Sequence, residues 1–246
     1  MGGSFEAVIF DLWGTLVAYP RAEMRRVVDQ MAEILAAPPE AFAAAWAGEF
    51  RSRAEGFPLE QSLEDICRAL GVDAPSSAIS DALASRLAAH RELFRPRPDA
   101  LDTLEQLRAR GLKLGLITDC TVDVPELWAM CPLAPLVDGA VFSAIEGMRK
   151  PNRRMYELAC DRIGVLPARC LYVGDGESDE LNGAVSVGMR AVQLRPGDSV
   201  APLWQGTWVA ALASVVELVD AAAGPGAATG TATTLTYDAG ARRSNC

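Results

Sequence analysis

Two hydrophobic patterns divide the chain. Residues 6–10 (EAVIF) form a short apolar run that stops at a polar loop, DLWGTL, and this pattern predicts a buried strand. Residues 21–94 are instead rich in alanine and are interrupted by proline- and glycine-containing breaks. These breaks predict about four helices with no strand between them. Ser62 and Asp65 have the spacing of a capping box, which predicts the start of one of these helices.

From residue 95 onward, strands alternate with helices of about 10 to 15 residues. The predicted strands are LKLGLIT (112–118), GAVFS (139–143), CLYVG (170–174) and RAVQL (190–194). This alternation is typical of βαβ units and predicts a parallel sheet covered by helices on both faces. The fold class is therefore α/β, a doubly wound parallel sheet with an all-helical insert after its first strand.

The same patterns predict the organisation of the chain. Residues 1–17 and 95–222 would form the α/β core, and residues 18–94 the helical insert. Residues 223–246 are small, polar and aperiodic, and we expect them to be disordered.

Composition narrows the class of protein. The net charge of −9 argues against nucleic acid as a partner, because binding a phosphate backbone requires a basic surface. No apolar run is long enough to cross a membrane, and the N-terminus lacks the basic region of a signal peptide. Six scattered cysteines without a CxxC pair are typical of reduced thiols in a cytoplasmic protein. Monomer and homodimer both remain open.

Residues able to support catalysis follow the predicted strands. They are Asp11 after the first strand, Thr118 and Asp119 after the second, Lys150 before a helix, and Asp175 and Asp179 after CLYVG. An aspartate after a strand is more often a helix cap than a catalyst. The carboxyl ends of parallel strands, however, meet at one edge of the sheet, so these side chains should converge there.

Clustered carboxylates repel one another unless a cation lies among them, and their hard oxygen atoms suit Mg²⁺. The metal and Lys150 would neutralise a phosphoryl group while Asp11 attacks phosphorus and forms an aspartyl-phosphate. The Thr118 hydroxyl and the backbone N–H groups of Gly14 and Thr15 would bind phosphoryl oxygens. The substrate would then be a small anionic molecule.

The single histidine, His90, excludes a histidine-rich metal site. It lies in a polar helical stretch, so we expect a solvated surface residue without a role.

The segments FDLWGTL, LITD, RKP and VGDGESDEL, in this order, resemble the four motifs of the haloacid dehalogenase-like (HAD) hydrolase superfamily. The resemblance covers residues 6–16 and 95–215 and implies a Rossmann-like core, and the insert matches the helical cap of that superfamily. The resemblance implies that Asp11 is the nucleophile, that the Thr118 hydroxyl binds phosphate and that Lys150 stabilises charge. It also implies that Asp175 and the backbone carbonyl of Trp13 are Mg²⁺ ligands. Asp179 would be a further ligand or a residue that orients one.

Besides Thr118 and Lys150, two positions are candidates for phosphate binding. They are Gly14, through its backbone, and Asp119, which can also be interpreted as a loop-capping residue.

One position departs from the pattern of the resemblance. Phosphatases of the superfamily usually carry a second aspartate as general acid/base where this chain has Trp13. The preferred interpretation is a phosphatase that uses another acid, such as a cap carboxylate, or a substrate whose leaving group needs little protonation. A 2-haloacid dehalogenase is the second interpretation, since halide leaves without a proton. A weakly catalytic or non-catalytic member with a binding role is the third.

The cap would move about hinges near residues 16–20 and 93–97 and would select the substrate. Trp46 is expected in the cap core or facing the cleft. Arg51 and Arg53 are expected to be solvated, with the alternative that one of them holds an anionic group of the substrate.

Overall fold

The computed structural model describes residues 4–197, 199 and 201–224. Its centre is a sheet of six parallel strands in the order β3-β2-β1-β4-β5-β6. The strands are β1 (Ala7–Phe10), β2 (Lys113–Thr118), β3 (Gly139–Phe142), β4 (Cys170–Gly174), β5 (Arg190–Leu194) and β6 (Thr207–Val209). The α/β class and the parallel sheet are thus confirmed.

Eleven α-helices accompany the sheet within the described residues. The first five are α1 (Arg21–Ile34), α2 (Pro39–Gly48), α3 (Phe50–Ala54), α4 (Leu59–Ala69) and α5 (Ser76–Leu93). The remainder are α6 (Ala100–Ala109), α7 (Val124–Ala129), α8 (Ser143–Glu146), α9 (Arg153–Ile163), α10 (Glu180–Ser186) and α11 (Ala213–Ala223).

The sheet has a hydrophobic layer on each face because successive side chains of a strand point in opposite directions. In β1, Val8 and Phe10 belong to one buried cluster, to which α6, α7 and α11 also contribute. Ala7 and Ile9 belong to the opposite cluster, which includes apolar residues of α9 and α10. All four side chains are fully buried, which places β1 at the centre of the fold and Asp11 directly after its buried end.

Helices α1 to α5 have a separate hydrophobic core that includes Met31, Phe42, Leu63 and Ile66. These helices follow the first strand without an intervening strand, and we call them the cap. The capping-box prediction is wrong: α4 begins at Leu59, after a proline, and Ser62 is buried inside it. Pro58 occupies the N-cap position that the prediction gave to Ser62, so the helix starts four residues closer to the N-terminus.

At the other end of the chain, α11 runs through Ala223, the first residue of the predicted disordered tail. Apart from Gly224, the rest of that predicted segment lies outside the described residues. Within the described ranges, no helix combines the length and apolarity that a membrane crossing requires.

Candidate active site

The candidate site lies where β1, β2 and β4 end. Asp11 follows β1, which pairs with β2 on one side and with β4 on the other. Asp175 follows β4, so it lies beside Asp11. Side-chain oxygens of Asp11, Asp175 and Glu180 all lie within 4.8 Å of one another. The parallel register therefore brings two of the predicted carboxylates together and adds a third that the sequence prediction omitted.

Lys150 is the cation of this cluster. Its Nζ lies 2.5 Å from Asp11 Oδ1 and 2.5 Å from Glu180 Oε2, and its side chain is 3% exposed. The negative charges of Asp11 and Glu180 outweigh burial and raise the pKa of Lys150 well above its ordinary value. Lys150 is consequently a fixed positive charge directly beside the Asp11 carboxylate.

Glu180 opens α10 and is held by three donors. Its Oε2 accepts from Lys150 Nζ and, at 2.7 Å, from the Tyr172 hydroxyl, and its Oε1 accepts from the backbone N–H of Gly176 at 3.0 Å. Three hydrogen bonds suit a residue that positions Lys150, because a buried charge is stable only when it is paired and hydrogen-bonded.

The carboxylates carry more negative charge than Lys150 offsets. Burial, followed by the charges of Glu180 and Asp175, raises the pKa of Asp11 well above its ordinary value, although Lys150 opposes the shift. Burial and the Glu180 charge likewise raise the pKa of Asp175 to about 7. Such a set of buried oxygens fits a divalent cation, since octahedral Mg²⁺ brings its ligand oxygens to within about 4 Å of one another.

Asp179, a predicted metal ligand, is not part of this cluster. Ser178 and Asp179 both have left-handed backbone conformations, with φ of 56° and 54°. These turns leave the Asp179 side chain exposed, where it accepts from Asn182 Nδ2 at 2.6 Å, and bring Glu180 into the site instead. The role of Asp179 as a Mg²⁺ ligand, or as a residue that orients one, stays a prediction, and the spacing of the motif does not specify this backbone path.

Gly14 has no side chain and so leaves room for the Asp175 carboxylate. Its φ is +81°, and a β-carbon at this position would lie 2.2 Å from Asp175 Oδ2. The backbone N–H of Gly14 donates to Val17 O at 2.8 Å, and that of Thr15 donates to Leu12 O at 3.2 Å. The turn itself uses these two N–H groups, and their phosphate-binding role stays a prediction.

Thr118 and Asp119 end β2. Thr118 is fully buried, with Oγ1 3.4 Å from the Asp119 carbonyl oxygen, and its phosphate-binding role stays a prediction. Asp119 lines the cavity over the site, and its Oδ1 accepts from the backbone N–H of Lys150 at 2.9 Å. The observed contact matches the loop-capping interpretation and fixes the segment that carries Lys150.

Trp13 lines the same cavity, but its indole ring packs among aromatic rings. It makes edge contacts with Tyr19, Phe94 and His90 at centroid distances of 5.9, 5.1 and 6.1 Å. Tyr19 and Phe94 belong to the two segments that connect the cap to the core. The role of the Trp13 carbonyl as a metal ligand stays a prediction.

His90 is buried, so the expectation of a solvated histidine is wrong. Its Nδ1 lies 3.2 Å from Asp123 Oδ2, and Asp123 also accepts from Arg86 Nη1 at 2.5 Å. Arg86 and His90 are four residues apart on α5, so they share the face that contacts the core. Burial opposes the shift, but the His90 hydrogen bond and the Arg86 charge lower the pKa of Asp123.

The cap and the core line a partly open cavity of about 660 Å³ over the carboxylates. The core supplies Asp11, Asp119, Lys150, Asp175 and Glu180 to its wall. The cap supplies apolar side chains from α1 and α2 together with Trp46, Arg53 and Arg86.

A doubly wound sheet with carboxylates at its strand ends and a helical cap after β1 defines a class of hydrolytic enzymes. The chain belongs to the haloacid dehalogenase-like hydrolases, whose family model matches residues 5–188. It is therefore a HAD-like hydrolase.

The proteins that resemble this chain include both phosphatases and a dehalogenase. Phosphatase MT3486 of Mycobacterium tuberculosis is 29% identical over 196 residues, which cover 76% of this chain and 86% of the relative. The (S)-2-haloacid dehalogenase 4A of Burkholderia cepacia is 28% identical over 209 residues, with 79% and 84% coverage. A glyceraldehyde 3-phosphate phosphatase of Methanocaldococcus jannaschii is 33% identical over 106 residues, and the match covers 43% of this chain and 46% of that protein.

Solved structures share the fold. A 2-haloacid dehalogenase from Pseudomonas syringae superposes with a TM-score of 0.68 at 24% identity, covering 88% of this chain and 99% of that one. A HAD phosphatase from Thermococcus onnurineus superposes with a TM-score of 0.64 at 21% identity, covering 87% and 97%.

Proposed function

We propose that this protein is a Mg²⁺-dependent phosphatase that hydrolyses a small phosphorylated metabolite through an aspartyl-phosphate intermediate. The observation that carries the proposal is the cluster in which Lys150 Nζ lies 2.5 Å from Asp11 Oδ1 while Asp175 lies close to the same carboxylate. The phosphatase names of several relatives support it.

Asp11 acts as the nucleophile. One of its carboxylate oxygens attacks phosphorus, the bond to the leaving oxygen breaks, and water later hydrolyses the aspartyl-phosphate at phosphorus. Lys150 holds a positive charge where negative charge develops on the phosphoryl oxygens, and Glu180 and Tyr172 keep it in place.

Asp11, Asp175 and the backbone carbonyl of Trp13 would hold Mg²⁺ in this proposal. The donor set fits, because the clustered carboxylates exceed the charge of Lys150 and offer only hard oxygen atoms. Bound there, the ion supplies Lewis-acid stabilisation of the phosphoryl group. Dehalogenases of the superfamily that this chain resembles work without a metal ion. The excess of carboxylate charge in the cluster calls for a cation, and it therefore favours the phosphatase.

The leaving-group proton limits the choice of substrates. Among the described residues that line the cavity, Glu40 is the one carboxylate from the cap, and it pairs with Arg25 at 2.8 Å. Beside Trp13 lies the His90 ring, at a centroid distance of 6.1 Å. Substrates whose leaving group needs little protonation should therefore react fastest.

The test is hydrolysis of p-nitrophenyl phosphate by purified protein with Mg²⁺ and with EDTA. Its leaving group is acidic, so Trp13 should not mask turnover. We expect turnover that EDTA removes and that Asp11→Asn abolishes, while Asp73→Asn, a matched change at an exposed position, leaves it intact.

Full activity in EDTA would contradict the metal requirement. Retained turnover in Asp11→Asn would end the nucleophile assignment. Release of halide from 2-chloropropionate, without phosphatase activity, would establish the dehalogenase instead.

A further inference from the structure

A second charged group lies in the cap wall of the cavity, away from the carboxylate cluster. Arg53 belongs to α3 in the cap, and its side chain is 1% exposed although it lines the cavity. Its guanidinium carbon lies 3.6 Å from the centroid of the Trp46 ring. An arginine stacked on an indole is held with its planar fork in one orientation.

Arg53 has N–H donors that its observed hydrogen bonds do not use. Nη1 donates to Ser62 Oγ at 3.2 Å, and Nη2 donates to the Trp46 carbonyl oxygen. Nε is buried and has no hydrogen-bond partner among the described residues. A buried N–H without an acceptor is destabilising, so this donor would gain from an acceptor within hydrogen-bond distance.

The charge of Arg53 is also poorly compensated. Its nearest carboxylate is Glu49, at 4.0 Å, and that carboxylate is about one-third exposed and already accepts from Ser62. Arg86 lies nearby, 5.7 Å from the same Trp46 ring, but its guanidinium donates to Asp123 and Thr121. Burial and the charge of Arg86 lower the pKa of Arg53 to about 10, in spite of Glu49.

Part of the cavity wall is apolar. Val27, Met31, Ala43 and Ala47 line the cavity together with the Trp46 ring. The cavity is thus lined by Lys150 at the carboxylate cluster, by apolar side chains, and by the under-compensated guanidinium of Arg53.

We propose that Arg53 binds a carboxylate carried by the leaving group of the substrate, with Trp46 and the apolar wall against the body of that group. The substrate class is then a phosphomonoester with an apolar body and a second, carboxylate group. This inference rests on the proposed phosphatase for the phosphate end. A carboxylate matches the site better than a second phosphate, because one guanidinium with spare donors offsets one negative charge.

Non-hydrolysable ligands test the proposal without turnover. Benzylphosphonate measures the phosphate end alone, and its 4-carboxy and 4-carbamoyl derivatives differ from each other in the charge at the far end. Titration calorimetry with Mg²⁺ should show the carboxylate binding about tenfold or more tightly than the amide, as expected for a charge-assisted hydrogen bond in a buried site. In Arg53→Gln this ratio should fall to near one.

Arg51→Gln is the matched control. Arg51 lies on the same short helix, is 73% exposed and pairs with Glu55, so the ratio should stay at its wild-type value. Circular dichroism shows whether Arg53→Gln folds. If it does not, Arg53→Lys keeps the charge but loses the fork and should lower the ratio, and the wild-type comparison of carboxylate with amide stands independently of any variant.

Three outcomes would overturn the proposal: equal affinity of wild type for carboxylate and amide, an unchanged ratio in folded Arg53→Gln, or an equal loss in Arg51→Gln. If benzylphosphonate binds but the carboxylate adds nothing, this inference fails while the proposed phosphatase stands. Failure of all three ligands to bind would count against both.

Discussion

Replacing Glu180 with glutamine removes one charge from the buried network around Lys150. The glutamine keeps one acceptor oxygen for the three donors that Glu180 now binds, and its amide places an N–H group near the Lys150 ammonium. The ion pair with Asp11 remains. Breaking a buried pair costs about 3–5 kcal/mol, and because Lys150 keeps one partner we expect about 3 kcal/mol of lost unfolding free energy.

Asp179→Asn is the matched control, because the two acidic residues are neighbours in the same motif. The Asp179 side chain is exposed and its hydrogen bond to Asn182 is local, so the change should cost about 0.5 kcal/mol or less. Urea unfolding at pH 7.5 measures both values, provided that the m-values agree. Titration of Mg²⁺ in the p-nitrophenyl phosphate assay should show a larger loss of kcat for Glu180→Gln than for Asp179→Asn.

The opposite ranking would refute this reasoning. If Asp179→Asn lost more kcat than Glu180→Gln, and Glu180→Gln unfolded at the wild-type urea concentration, the result would support the role that the resemblance implies for Asp179.

Three other changes test separate features. Trp13→Asp should raise turnover of alkyl phosphates relative to p-nitrophenyl phosphate by about tenfold or more, and an unchanged ratio would show that the pocket limits the reaction. Gly14→Ala should lower the unfolding free energy by about 1–3 kcal/mol in urea, since its β-carbon would meet Asp175 and its φ is positive; wild-type stability would contradict this. Asp123→Asn should lower the Tm at pH 7, and the gap should narrow below about pH 4. The native pKa of Asp123 is depressed, so its stabilising charge is present above the unfolded value and is lost as pH falls. A gap that is constant down to pH 3 would refute the linkage.

The sequence predicted those site residues whose positions are determined by the ends of strands. Asp11 and Asp175 follow apolar runs that could only be buried strands, and parallel pairing then brings them together. Lys150 needed the motif as well, because it follows a short helix, α8, and a loop. The three-residue strand β6 was missed, since Trp208 is 53% exposed at the edge of the sheet and the run has no buried apolar pattern.

Contacts between the cap and the core could not be read from local patterns. His90 looked like a surface residue because its own helix is polar, yet it faces Asp123 across the junction. The spacing of four between Arg86 and His90 was the signal that could have revealed a shared polar face. Arg53 was likewise ambiguous, since nothing near it in the chain indicates that Trp46 would lie against its guanidinium.

The same junction gives a physical reason for the departure at Trp13. Its ring contacts Tyr19 and Phe94, one in each connection to the cap, so this position packs the predicted hinge. Trp13→Asp would therefore supply a proton donor and unpack the hinge in one step. Trp13→Phe keeps an aromatic ring without an acid. If both variants lose activity equally on p-nitrophenyl phosphate, position 13 acts through the hinge; if only the aspartate variant gains on alkyl phosphates, the missing acid limits the native enzyme.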